Sequence, residues 1–140
     1  MGNYNYYQPI DIRYGDLDAQ GHVNAARYMT FIEHARVAYL NSLNLWNGNS
    51  FLDIGVILAD AQMTYKAPIQ WGQSIQVGTR ISRLGKKSMD MFHSIEDAKN
   101  GHELAFSKTV LVSYDYRTDQ AIEIPETWRK TIVEFEQLEA

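Results

Sequence analysis

Asn24-Ala25-Ala26-Arg27-Tyr28-Met29-Thr30-Phe31-Ile32-Glu33-His34-Ala35-Arg36-Val37-Ala38-Tyr39-Leu40-Asn41-Ser42-Leu43 sets Tyr28, Phe31, Ile32, Ala35, Tyr39 and Leu43 at helical spacing. The pattern predicts one long helix opening at Asn24, a good N-cap residue. Ala25, Ala26, Ala35 and Ala38 are spread around its circumference, so other backbone can approach it on several sides. Such a helix is expected to be a buried axis rather than a surface element.

On either side of it the periodicity changes from helical to alternating. Tyr6 to Tyr14 alternates, with Ile10, Ile12 and Tyr14 on one side, and reads as a first strand. After the helix, Leu45 to Ile54 contains Asn47-Gly48-Asn49-Ser50, a loop composition, and Gly55 to Tyr65 is apolar and β-branched enough for a strand that ends at Lys66-Ala67-Pro68. Ile75, Val77, Thr79 and Ile81 then alternate with polar neighbours, as do Met89, Met91, His93 and Ile95. Asn100-Gly101 signals a hairpin into a strand from Leu104 to Tyr116, and Pro125 to Leu138 reads as a short amphipathic closing helix. Consecutive strands with short links make an antiparallel sheet. The expected fold is therefore α+β, a curved antiparallel sheet wrapped around the long helix, with edges that oligomerisation would cover.

Residues 1–140 suit one domain, with 45% hydrophobic and 21% charged residues, the composition of a folded soluble chain. A formal charge of -4 gives no reason to expect nucleic acid as a partner. The absence of cysteine excludes disulfides and thiol nucleophiles and points to the cytoplasm. Met1-Gly2-Asn3-Tyr4-Asn5-Tyr6 lacks the basic and apolar regions of a leader, Tyr6 stands where a myristoylation signal carries Ser or Thr, and no apolar run reaches membrane-spanning length.

Chemistry concentrates just before the helix, in Tyr14-Gly15-Asp16-Leu17-Asp18-Ala19-Gln20-Gly21-His22-Val23-Asn24-Ala25. The first N–H groups of a helix have no internal partner and carry partial positive charge, so they stabilise negative charge on a substrate oxygen. Asp18 would stand just outside that end as a nucleophile or general base, although an isolated Asp-x-Asp is more often a turn or cap. His22 would orient Asp18 or a water, or serve the turn alone, and Asn24 is explained equally by capping. Glu33 is either a second carboxylate or the i,i+3 partner of Arg36. Tyr28, Phe31 and Tyr39 are read as core. Arg80, Arg83, Lys86 and Lys87 gather positive charge near a glycine-containing turn, as a solvated hairpin tip or as a phosphate site with Ser88 beside it. The run Gly85-Lys86-Lys87-Ser88 is not a P-loop, there is no Gly-x-Ser-x-Gly elbow, and His34, His93 and His102 show no metal-ligand spacing.

Arg13-Tyr14-Gly15-Asp16-Leu17-Asp18, Gly21-His22-Val23-Asn24, Tyr28 and Glu33-His34-Ala35-Arg36 together resemble the hotdog-fold acyl-CoA thioesterases of the 4-hydroxybenzoyl-CoA thioesterase-like group. Tyr65-Lys66-Ala67-Pro68, Gly72-Gln73-Ser74 and Leu84-Gly85-Lys86-Lys87-Ser88 extend the resemblance over most of the chain. It implies hydrolysis of an acyl-CoA to a carboxylic acid and coenzyme A, with coenzyme A as part of the substrate and no separate cofactor or metal. It also implies Asp18 as the catalytic carboxylate and the Ala25 N–H as the donor to the thioester carbonyl. Ala25 stands where many relatives carry a second Asn, so a backbone donor survives and a side-chain contribution is lost. Arg83, Lys86, Lys87 and Ser88 would meet the nucleotide and pantetheine portions. A homodimer or homotetramer with sites where subunits meet is expected, and an acyl carrier protein is a possible alternative substrate carrier. The competing readings are a non-hydrolytic module binding acyl-CoA or an acyl carrier protein, and a dehydratase acting on hydroxyacyl thioesters.

Overall fold

The computed structural model describes residues 4–139. Met1, Gly2 and Asn3, part of the amino-terminal stretch read above, and Ala140 lie outside the described residues. Helix α1 spans Ala25–Ser42 and is capped where the sequence expects, the Asn24 side chain accepting from the Ala26 N–H. It buries Tyr28, Phe31, Ile32, Ala35, Arg36, Tyr39 and Leu40. Thr30, Glu33 and His34 stay exposed, so burial is one-sided rather than all-round.

The strands are β1 (Tyr7–Ile10), β2 (Val56–Tyr65), β3 (Ile75–Leu84), β4 (Ser88–Asp97), β5 (Glu103–Asp115) and the short β6 (Gln120–Ala121). All pairings are antiparallel, in the order β1-β3-β4-β5-β2, with β6 on β5. The curved antiparallel sheet around a long helix is the α+β arrangement expected from the pattern, and it agrees with the hotdog fold that the resemblance implies. Two details differ from the sequence reading. Strand β1 stops at Ile10 because the chain tightens into a 3-10 turn over Tyr14–Asp16, where the Asp16 carboxylate accepts from the Arg13 N–H at 2.9 Å. Strand β2 does not pair with its successor β3 but lies at the far edge beside β5, so residues 66–74 must cross beneath the start of α1.

That topology gives the core two apolar halves. Val23, Tyr28, Phe31, Ile32, Ile69, Ile75, Val77 and Ile95 pack at the start of α1. Tyr39, Leu40, Ile81, Met89, Met91, Leu111, Trp128 and Ile132 pack at its other end. Helix α2, Glu126–Glu136, closes the second half, and its Glu136 carboxylate accepts from the Tyr39 hydroxyl and, at 3.1 Å, from the Ile81 N–H.

Between the halves the sheet carries a polar row. The fully buried His93 ring lies 3.2 Å from the Thr79 hydroxyl through Nδ1 and 3.4 Å from the Thr109 hydroxyl through Nε2. Burial, aided by the Arg36 charge, pushes its pKa down to about 3, so the native protein holds it neutral. An unfolded histidine takes a proton near pH 6.5 and the folded one does not, so stability is complete above that pH. It is lost as pH falls toward 3, by about 1.4 kcal/mol per pH unit. Comparing urea midpoints of the wild type and His93→Gln from pH 7 to pH 4 checks this, since the amide does not titrate. The wild type is expected to lose stability more steeply; parallel pH curves would contradict it.

Candidate active site

The turn before α1 is a miniature hairpin braced from below. Leu17 bridges Val23 antiparallel, the Asp18 N–H donates to the His22 carbonyl at 2.8 Å, and the Gly21 N–H donates to the Asp18 carbonyl at 3.1 Å. Gly21 sits at φ 82, a left-handed conformation that closes the tip without the strain a side chain would bring. The crossing segment then pins the hairpin: His22 bridges Gln70, and the Val23 N–H donates to the carbonyl of fully buried Ile69 at 2.8 Å. The Asn24 N–H donates to the Asp16 carbonyl at 2.8 Å and delivers the chain into the helix. Asp16 is itself buried, 3.7 Å from Arg27, and holds the turn.

Asp18 is exposed, and its Oδ1 accepts from the Gln20 N–H at 2.9 Å. At the helix start the donors divide unequally. Asn24 Oδ1 takes the Ala26 N–H at 2.9 Å and the Asn24 carbonyl takes the Arg27 N–H at 2.8 Å. The Ala25 N–H has no acceptor among the described residues, which leaves it available to an external oxygen. The half-buried His22 ring has no hydrogen-bond partner among the described residues and is not bonded to Asp18. One turn thus presents a solvent-facing carboxylate and one unsatisfied amide at the positive end of an 18-residue helix.

Sequence reasoning passed over Tyr65 as a strand end. Its hydroxyl donates to the Ala25 carbonyl at 3.3 Å, and its ring meets Tyr28 edge-on at 4.9 Å between centroids. The signal was available in the Tyr65-Lys66-Ala67-Pro68 ending, but only the crossing of residues 66–74 brings it to the helix start. Tyr28, Phe31 and Tyr39 are buried, in keeping with a core role, and Glu33 faces Arg36 at 3.7 Å.

The basic residues lie elsewhere in the chain. The β3–β4 turn packs with the second core half, so the 18 residues of α1, about 27 Å at 1.5 Å per residue, separate it from Asp18. Arg83 grips Asp90 through two bonds of 3.0 Å and reaches the Ser88 hydroxyl at 3.2 Å, holding the Asp90 carboxyl below its usual range. Arg83 and Ser88 are therefore engaged with each other. Lys86 and Lys87 are exposed and have no ion pair among the described residues. Arg80 leaves the group altogether, its guanidinium stacking 5.1 Å over Phe92. No three His, Asp or Glu side chains converge as a metal site among the described residues, and no described helix is long and apolar enough to cross a membrane.

The profile of the thioesterase-like superfamily matches residues 12–132. Among curated proteins, the chain is similar to the long-chain acyl-CoA thioesterase FadM of Escherichia coli, 25% identical over 81% of this chain and 86% of that one. It is likewise similar to the 1,4-dihydroxy-2-naphthoyl-CoA hydrolase of Synechococcus elongatus, 23% identical over 90% of this chain and 92% of the other. Among solved structures, a Thermus thermophilus thioesterase complexed with coenzyme A and Zn superposes with a TM-score of 0.86. The two are 29% identical, over 99% of this chain and all of that one.

Proposed function

The chain belongs to the thioesterase-like superfamily and is a thioester hydrolase, and from that premise we propose that it cleaves an acyl-CoA to a free carboxylic acid and coenzyme A. The observation carrying this reading is the pairing, on one braced turn, of the exposed Asp18 carboxylate with the unsatisfied Ala25 N–H. The thioester oxygen accepts from that amide, and the helix end stabilises negative charge as the carbonyl carbon becomes tetrahedral. Asp18, released from the Gln20 N–H, either attacks the carbon or takes a proton from an attacking water. By the first route, the carbon–sulfur bond breaks to leave an acyl anhydride that water then opens. By the second, water supplies the new carboxyl oxygen directly. Both expel the sulfur of coenzyme A. Asn24 holds the cap, and His22 stands at the turn without a bond that would divert Asp18. The similarity to the acyl-CoA thioesterase of Escherichia coli and the 1,4-dihydroxy-2-naphthoyl-CoA hydrolase of Synechococcus supports coenzyme A as the carrier.

A second copy completes the site. Strand β2 is an edge of ten residues whose outer backbone groups have no strand beside them among the described residues. Its sequence Val56-Ile57-Leu58-Ala59-Asp60-Ala61-Gln62-Met63-Thr64-Tyr65 has one charge, no lysine and no proline, so nothing on it opposes strand pairing. An antiparallel ribbon paired with itself about a two-fold is self-complementary, and it covers this edge. Such a two-fold would bring the Lys86–Lys87 turn of one copy toward the Asp18 end of the other, removing the separation within one chain.

Thiol release from a panel of acyl-CoAs tests the reading. Hydrolysis is expected, whereas binding without thiol release would establish the binding-module alternative, and enoyl formation without thiol release would establish the dehydratase. In the same assay, replacing Lys86 and Lys87 by Ala is expected to raise KM about two- to thirty-fold at low ionic strength, less at high salt. An unchanged KM at low salt would remove these lysines from the phosphate site.

A further inference from the structure

Resting on the acyl-CoA reading and on the phosphate role of Lys86 and Lys87, we infer that the cleft between helix α2 and the outer edge of β3 receives the adenine of coenzyme A. Strand β1 pairs with β3 only from Ile75 to Gly78, and from Arg80 to Leu84 no strand lies on that edge among the described residues. Helix α2 stands there instead, pinned by the Glu136 carboxylate that accepts from the Ile81 N–H at 3.1 Å. Gln137, at φ 56, ends the helix, and the Leu138 N–H donates back to the Val133 carbonyl at 3.1 Å. This reversal sets Leu138 with Val133 in the wall of the cleft, and Leu84 of β3 is its third apolar residue. The three are half-buried, and the cavity they line measures about 510 Å³, ordinary for a small-molecule site.

Arg129 joins this cleft to the basic turn. Its side chain lines the cavity, and its Nη2 donates to the Gly85 carbonyl at 2.7 Å and to the Lys86 carbonyl at 3.5 Å. The Ile124 N–H also donates to the Lys86 carbonyl, at 3.0 Å, and the Ser113 N–H donates to the Lys87 carbonyl at 2.7 Å. All three carbonyls from Gly85 to Lys87 are thus bonded outside the turn, which fixes where the lysines stand. Phosphates held by Lys86 and Lys87 therefore leave the attached nucleoside one guanidinium away from the cleft.

The walls suit an aminopurine. Helix α2 offers the cavity two rows of residues four apart, an inner half-buried row of Arg129 and Val133 and an outer exposed row of Glu126, Lys130 and Glu134. The aliphatic inner surface takes the ring faces, whose burial supplies the affinity. None of the outer three is hydrogen-bonded or ion-paired among the described residues, so all are available to the ring edge. The exocyclic amino group of adenine donates to a carboxylate of Glu126 or Glu134, and a ring nitrogen accepts from Lys130. Guanine or uracil would turn a carbonyl oxygen toward those carboxylates, a repulsive contact. The same carboxylates keep phosphates out of the cleft and on the lysines.

The test compares KM and kcat for octanoyl-CoA and for octanoyl-4′-phosphopantetheine, which lacks the adenosine, in the wild type, Val133→Trp and Glu134→Ala. The tryptophan fills the cavity and is expected to raise KM for octanoyl-CoA about ten-fold. Loss of the Glu134 carboxylate is expected to raise it about two- to ten-fold, and because Glu134 is exposed this variant reads the site even where tryptophan disturbs α2. Neither variant is expected to change kcat or the KM for the adenosine-free substrate. An unchanged KM for octanoyl-CoA in both variants, at a wild-type thermal midpoint, overturns the adenine site. An equal rise for the two substrates also overturns it. A wild type that hydrolyses neither substrate overturns the thioesterase reading instead, and titration calorimetry with adenosine 3′,5′-bisphosphate then reads the cleft without turnover. Binding weakened by Val133→Trp supports the site, and binding that is absent or unchanged overturns it.

Discussion

Asp18→Asn is expected to lower kcat for acyl-CoA hydrolysis about a hundred- to ten-thousand-fold, the usual contribution of a positioned base or nucleophile. The substitution separates chemistry from architecture. The asparagine keeps an Oδ1 that accepts the Gln20 N–H, so the bond now held at 2.9 Å survives. The backbone bonds joining Asp18 to His22 and Gly21 do not involve its side chain. What disappears is the group proposed to attack the carbonyl or deprotonate water. Turnover under saturating substrate, with the thermal midpoint as a control for folding, makes the measurement. Turnover within a few-fold of the wild type at an unchanged midpoint would remove Asp18 from the reaction.

The elements that place this carboxylate were legible to different degrees. Helix α1 could be read because its apolar spacing and its Asn24 cap agree, and β3, β4 and β5 because alternation is strong where a strand has one face on a core. The end of β1 was not legible, because Ile12 and Tyr14 continue the alternation after the backbone has turned away. The 3-10 turn, with the Asp16 carboxylate bonded to the Arg13 N–H, marks the departure. The place of β2 beside β5 was hidden too. Pairing between strands distant in sequence depends on which edge remains free, and no local pattern reports it.

The candidate site divides along the same line. Residues 16–26 form one local turn, so the cap on Ala26 and the amide left over on Ala25 follow from short-range rules. Tyr65, the brace from Ile69 and Gln70, and the engagement of Arg83 with Asp90 required long-range contacts. The basic group was legible as composition but not as geometry, since Arg80 turned to the Phe92 ring and Arg83 to a carboxylate. The polar row through Thr79, His93 and Thr109 illustrates the same limit. Each residue alternates as a strand residue should, and only the register shows that they meet beneath the helix.

The helix start as the oxyanion donor is tested most directly by Ala25→Pro, with kcat for acyl-CoA as the readout. Proline at the first helical position removes only the N–H in question, and its fixed φ suits that place. Asn24 already has the extended backbone, φ -61 and ψ 136, that a residue before proline adopts, and its side chain continues to cap the Ala26 N–H. A fall of about a hundred- to a thousand-fold in kcat is expected with the fold retained, while Ala25→Ser, which keeps the amide, stays near wild type. An Ala25→Pro protein that turns over like the wild type would contradict it.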